Sequence, residues 1–271
     1  MIREFENYLR SIRGYSENTI RAYMSDLKNF VLWARTHKEC ATWSTLTRED
    51  IDEYMTELTR RELKPSTINR MLAAVGALYK YMQREGYEVE NPCKYESRKK
   101  MPTTIPDTIP VKKIAQAYKH AKGVKKHMLG ILATTGLRIQ EMLDIRYEDI
   151  DFESSTIKVT GKGSKERLVT TDKEVLADYK KCREEYKASG KIFFYSQRSA
   201  RYLIYEALRP YCEGYRCNPH TLRHTYATEL AKNGENCATI AKILGHSHIE
   251  TSQKYINLAE VKKPARGISL T

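Results

Sequence analysis

The sequence predicts a mainly α protein with one small β-sheet, divided into an N-terminal helical bundle and a larger α-rich domain that carries the sheet. Three observations predict it. Residues 1–90 place apolar side chains at three-and-four spacing and hold no alternating run. An aperiodic stretch with four prolines follows, NPCKYESRKKMPTTIPDTIP. Beyond it the helical period breaks once, at STIKVTGKGSKERLVT, where residues alternate about a Gly-rich turn. A chain of 271 residues suits two modest cores. The expected division is a bundle over 1–92, a linker over 93–110 and a second domain over 111–271.

In the bundle, EFENYLRSI opens the chain as a short helix. SENTIRAYMSDLKNFVLWARTH follows behind Ser16, a capping candidate, with Ile20, Tyr23, Met24, Leu27, Phe30 and Val31 on one side. TREDIDEYMTELTRREL repeats the pattern behind Thr47, with acids in its first turn where the helix dipole favours them. KPSTINRMLAAVGALYKYMQREG starts near Pro65 and stops before Gly86. In the second domain VKKIAQAYKHA, KKHMLGILATTG and LRIQEMLDI read as helices. Strands are expected at Thr156–Thr160 and Glu166–Thr170. Helices resume in DKEVLADYKKCREEYK, RSARYLIYEALRPYC, PHTLRHTYATEL, NCATIAKILG and HIETSQKYINL.

The net charge is +13 and it is uneven. Residues 1–100 carry 18 Lys and Arg against 15 Asp and Glu, leaving 29 against 19 for the remainder. A polyanion is the natural partner for such a field, since neutralising phosphates releases counterions. An anionic membrane surface is the competing reading and the weaker one: no run approaches the ~20 residues of a span, and MIREFENYLR has no signal-peptide core. The six scattered cysteines read as free thiols of a cytoplasmic protein. CEGYRCNPH groups Cys212, Cys217 and His220 but offers no fourth ligand, so no metal is expected. GKGS resembles the end of a phosphate-binding loop, yet the upstream residues and the following helix are missing.

Several polar residues sit oddly on this scaffold. Arg138 opens a helix with apolar neighbours, and Glu141, three residues on, can fix its guanidinium. Lys162 stands between glycines at the hairpin tip, where the backbone can bend tightly and bring it close to a ligand. His220 and Arg223 share one face at a helix start. His224, one turn below His220, reads as a buried hydrogen-bonding group. His246 lies just past a helix end and Tyr255 on the next helix. Two arginines, a lysine, histidines and a tyrosine suit metal-free chemistry at a phosphodiester. Arginine forks neutralise the equatorial oxygens, and a tyrosine can hold the phosphate covalently. Its phenol, with a pKa of about 10, costs roughly 4 kcal/mol to ionise at pH 7. Neighbouring cations and a proton acceptor must offset that cost.

ATTGLRIQEMLDI, VTGKGSKERLV, PHTLRHTYATEL and ILGHSHIETSQKYI resemble, in order and spacing, four segments of the tyrosine site-specific recombinases of the phage-integrase and Xer type. The likeness runs through most of 107–257, and the N-terminal helices resemble that family's core-binding domain. It implies that Arg138, Lys162, His220, Arg223 and His246 activate the phosphate, that Tyr255 is the nucleophile and that Glu141 supports them. It also implies no cofactor and no metal. The implied partner is double-stranded DNA with short inverted half-sites. The protein is then a monomer or weak dimer off DNA and a homotetramer on two sites, working through a Holliday junction. In the family, bundle helices enter the major groove. The candidates here are Thr19, Arg21, Ser66, Asn69 and Arg70, with Lys99 and Lys100 of the linker on the backbone. Two other readings stay open: a type IB topoisomerase-like enzyme and a catalytically silent DNA-binding relative. After Tyr255 the chain departs from the family's pattern: Pro264 and Gly267 are expected to cut short any docking helix. An extra N-terminal arm-binding domain of the kind carried by the larger phage integrases is not expected.

Overall fold

The computed structural model describes residues 1–38, 42–94, 99–100, 106–161, 165–246 and 250–261. The chain forms two compact units, Met1–Thr103 and Thr104–Thr271. It is mostly helical with one small antiparallel sheet, as the periodicity predicts.

The first unit consists of α1 (Ile2–Ser11), α2 (Glu17–His37), α3 (Arg48–Arg60) and α4 (Pro65–Arg84). Each contributes one apolar stripe to a common core: Phe5 and Leu9, Leu27 and Phe30, Ile51 with Tyr54 and Leu58, and Val75, Leu78 and Tyr79. Helix starts follow the capping residues. Ser16 accepts the Thr19 backbone N–H at 3.3 Å. Thr47 and Asp50 cap each other's backbone at 2.8 and 3.4 Å. Pro65 occupies the first turn of α4, where its missing N–H costs nothing.

The second unit begins before Val111. Ile109 is buried, and its backbone N–H donates to Thr225 Oγ1 at 2.9 Å. A lone isoleucine between prolines has no period to announce it, which is why the sequence leaves it in the linker. Helices α5 (Val111–His120), α6 (Val124–Thr135) and α7 (Ile139–Leu143) come first. Then β1 (Ile150–Asp151), β2 (Thr156–Thr160) and β3 (Glu166–Thr170) form an antiparallel sheet in that order, with Ile157 opposite Val169 and Val159 opposite Arg167. β2 and β3 occupy the expected spans; β1, two residues long, has no pattern to read. Helices α8 (Lys173–Tyr186), α9 (Gln197–Leu208), α10 (Pro219–Lys232), α11 (Cys237–Leu244) and α12 (Glu250–Val261) complete the unit. α6 is buried on nearly every side at the centre of the main core. A smaller core joins α10, α11 and α12. There Ala227 and Ala231, one turn apart, leave room for Tyr255 and Ala259.

Candidate active site

The site is organised around the C-terminus of α11. The last carbonyls of a helix have no partner within it, and the dipole gives that end a partial negative charge. Here three successive carbonyls each receive a different arginine. Ile243 O accepts from Arg167 Nε at 2.8 Å, Leu244 O from Arg223 Nη2 at 2.8 Å and Gly245 O from Arg138 Nη2 at 3.3 Å. Gly245 has a left-handed backbone, φ 65°, which ends the helix and turns its carbonyl toward Arg138.

Arg223 is only 4 % exposed, and its other terminal nitrogen donates to Gly136 O at 2.8 Å. That carbonyl is presented by another left-handed glycine, φ 62°, at the end of α6. A Cβ on Gly136 would sit 2.4 Å from the ring of Tyr226, so no other residue fits. Burial, and then repulsion from Arg138, lower the Arg223 pKa to about 10. Among the described residues no carboxylate pairs with it. Glu141 is committed elsewhere: Arg138 Nη1 donates to it at 3.0 Å, the Arg138 backbone N–H at 2.8 Å, and Arg167 in a fork at 3.2 and 2.9 Å. Burial pushes the Glu141 carboxyl up, but the hydrogen bonds and charges of Arg167 and Arg138 outweigh it and hold Glu141 below the usual carboxylate range. The result is a cation-rich pocket with one neutralised acid, a place for an anion.

The histidines around it are neutral at pH 7. His220, in the first turn of α10 behind the Asn218 cap, has its pKa lowered by burial and then by Arg223, Arg201, Arg138 and Lys254. Burial and nearby cations bring His224 and His246 each to about 4. His246 Nδ1 hydrogen-bonds Ser252 Oγ at 2.8 Å, and its ring stacks near Tyr255, centroids 6.3 Å apart. Tyr255 is 1 % exposed; its hydroxyl lies 2.9 Å from His224 Nδ1. Burial raises the phenol pKa while Arg223 and Arg138 oppose the rise.

Arg138, Glu141, His220, Arg223, His224, His246 and Tyr255 thus meet in one place from α7, α10, α12 and the turn after α11. Lys162 lies outside the described residues. Gly161, just before it, does reach the site: a Cβ there would stand 3.5 Å from Arg167 Nη1 and 3.8 Å from Glu141 Oε1. Arg167 is a participant that the sequence analysis does not single out. Its signal is the strand period. It shares a face with buried Val169, so an arginine there points inward. The cysteine grouping forms no ligand set; Cys217 Sγ donates to Cys212 O and Tyr215 O, and no metal-holding cluster occurs among the described residues.

In the first unit the DNA-contact candidates differ in freedom. Arg21, Ser66 and Lys100 are exposed. Thr19 shares a hydrogen bond with Ser16 at 2.9 Å. Arg70 pairs with buried Asp26 at 3.0 Å. Asn69 departs from the expectation of a base reader. Its amide donates to Lys99 O at 2.9 Å and accepts the Lys99 N–H at 2.8 Å. Both of its polar atoms are occupied in pinning the chain that leaves the bundle. The Lys99 ammonium in turn bonds Thr59 Oγ1.

Residues 108–261 match the phage integrase family, and residues 2–86 match the phage integrase N-terminal SAM-like domain. A tyrosine recombinase XerC of Pediococcus pentosaceus is 29% identical over 284 residues, covering 97% of this chain and 94% of the relative. A tyrosine recombinase XerD of Oceanobacillus iheyensis is 27% identical over 280 residues, covering 96% and 94%. Among solved structures, the XerH site-specific recombinase bound to a palindromic difH substrate superposes with a TM-score of 0.76 at 18% identity, covering 96% of this chain and 82% of that one. A lambda integrase dimer bound to a COC′ core site gives 0.72 at 17% identity, covering 100% and 79%. At such identities these two likenesses speak for the fold. No helix among the described residues is long and apolar enough to cross a membrane.

Proposed function

The chain belongs to the phage integrase family, the tyrosine recombinases that cleave and rejoin DNA, and from that premise we propose that it performs site-specific recombination with Tyr255 as its nucleophile. The Tyr255 oxygen attacks the scissile phosphorus. A 3′-phosphotyrosine bond forms as the bond to the 5′-oxygen breaks, and the leaving oxygen takes a proton. The released 5′-hydroxyl of a partner strand reverses the step on the new phosphate, so no energy source is consumed.

The observation that carries this reading is Arg223: a buried guanidinium with no carboxylate partner among the described residues, beside Arg138 and a buried tyrosine. A phosphodiester is the anion that completes such a set. The fixed forks of Arg138 and Arg223 neutralise its equatorial oxygens, and they cost no reorganisation because backbone carbonyls already hold them. Neutral His220 and His246 supply hydrogen bonds. Lys162 is the proposed donor of the leaving-group proton. His224, neutral and bonded to the phenol, is the proposed acceptor of the tyrosine proton.

On the same reading the bundle recognises the DNA site while the second domain, with most of the positive charge, grips the backbone. Four copies act on two sites and exchange strands one pair at a time through a Holliday junction. The test is a plasmid carrying two copies of a duplex selected from random sequence by the Tyr255→Phe protein. Recombination yields deletion or inversion between the copies. Relaxation of supercoils without either product would place the chain with the type IB topoisomerases instead.

A further inference from the structure

Lys254 immediately precedes Tyr255 on α12, and nothing in the reading above uses it. Its ammonium lies over the Tyr255 ring, 5.1 Å from the centroid. The residue is only partly exposed, and no described side chain forms an ion pair with it. Long cationic side chains on a helix ordinarily keep their charged heads in water. This one is half-buried over an aromatic ring, close enough to His220, His224 and His246 for its charge to oppose their protonation. Burial, then Arg223, pull its own pKa below the ordinary lysine range.

We propose that Lys254 is a further functional residue of the site, a cation carried on the nucleophile's own helix that lowers the cost of ionising Tyr255. This rests on the reading of Tyr255 as the nucleophile. An ammonium over a neutral ring is held only by the ring quadrupole. Over a phenolate it faces a full negative charge, so its presence favours the ionised form. The groups around the Tyr255 side chain are His224 and Arg223 from α10, Arg138 from the start of α7, His246 from the turn after α11, and Lys254, which lies over the ring. His224 and His246 are neutral at pH 7, which leaves Arg223 and Arg138 as the charges that oppose the rise of the phenol pKa, with the Lys254 ammonium placed over the ring. Both arginines are tied to the carbonyls of α6 and α11. Tyr255, 1 % exposed, must come forward to meet a phosphate. When it does, the arginines stay with the pocket and Lys254 travels with the ring.

The test needs no DNA. The full chain is prepared with a ring-difluorinated tyrosine at position 255, whose phenol is intrinsically more acidic, and its ionisation is followed by fluorine NMR against pH. Lys254→Met, which keeps the stem and removes the charge, is expected to raise the midpoint by about one pH unit, a tenfold loss of phenolate. Lys254→Arg is expected to stay within about 0.3 unit of the parent. An unchanged midpoint in Lys254→Met, in a protein melting like the parent, overturns the proposal. So does an equal rise in Lys254→Arg, since packing rather than charge would then be responsible. Lys254→Gln carries the same expectation as Lys254→Met if the latter melts early. Loss of the nucleophile reading is seen separately, as a failure of Tyr255 to capture DNA, and leaves this titration unaltered.

Discussion

The phenol oxygen of Tyr255 lies 2.9 Å from Nδ1 of His224, one turn of α10 below His220. Both partners are neutral at pH 7, and the tyrosine is sealed from solvent. On the proposed reading, with the imidazole proton on Nε2, this bond keeps the nucleophile beside a nitrogen that can take its proton. Replacing His224 with Phe is expected to slow covalent capture of a nicked duplex by about 10²–10³-fold, with affinity for the same duplex nearly unchanged. Single-turnover kinetics and a binding titration separate the two quantities. Wild-type capture by His224→Phe would reduce the histidine to packing.

Arg167 and Arg138 hold the same carboxylate but differ in exposure, 11% against 41% of the side chain. Arg167→Ala removes the fork from a buried acid and is expected to cost about 3 kcal/mol of stability. Arg138→Ala leaves Glu141 gripped by Arg167, so it is expected to cost under about 1.5 kcal/mol while abolishing detectable cleavage. Denaturant unfolding and strand cleavage, measured on both variants, check this division.

The depressed histidines give a sign to the pH dependence. His224 and His246 fall from 6.5 to about 4 in the folded chain. The unfolded chain therefore binds more protons between those values, and stability rises with pH across that window. It is full above about pH 6.5 and declines as pH drops toward 4, by about 1–2 kcal/mol for each partly buried histidine. Urea unfolding at pH 7.5 and pH 5 should show the decline, and His246→Phe should show less of it. Equal stability at both pH values would mean that neither histidine is held neutral by the fold.

Asn69, whose amide is spent on the Lys99 backbone, is expected to behave like a linker residue. Asn69→Ala should weaken binding to selected and random duplexes alike, as should replacement of Lys99 and Lys100. Arg21→Ala, at an exposed position on α2, should instead lower the preference for the selected duplex, by ~1–3 kcal/mol if it meets a base edge. Competition binding at two salt concentrations distinguishes these effects.

The helices, the hairpin strands and the polar residues of the pocket were legible because each leaves a local mark: an apolar period, a cap, or a polar group where the pattern asks for an apolar one. Ile109 and β1 were not, since one or two residues have no period. Arg167 and Lys254 were hidden in a chain with 47 Lys and Arg, where a single cation carries no information until its surroundings are known. The role of Asn69 depends on a partner 30 residues away, beyond any local pattern.

The most direct test of the central claim is the identity of the residue that becomes joined to DNA. The protein is incubated with a nicked duplex of the selected site, digested with protease, and the DNA-linked peptide is sequenced by mass spectrometry. The account predicts one peptide, modified at Tyr255 through a 3′-phosphate, and no adduct from Tyr255→Phe. An adduct on any other residue, or one that survives in Tyr255→Phe, would contradict it.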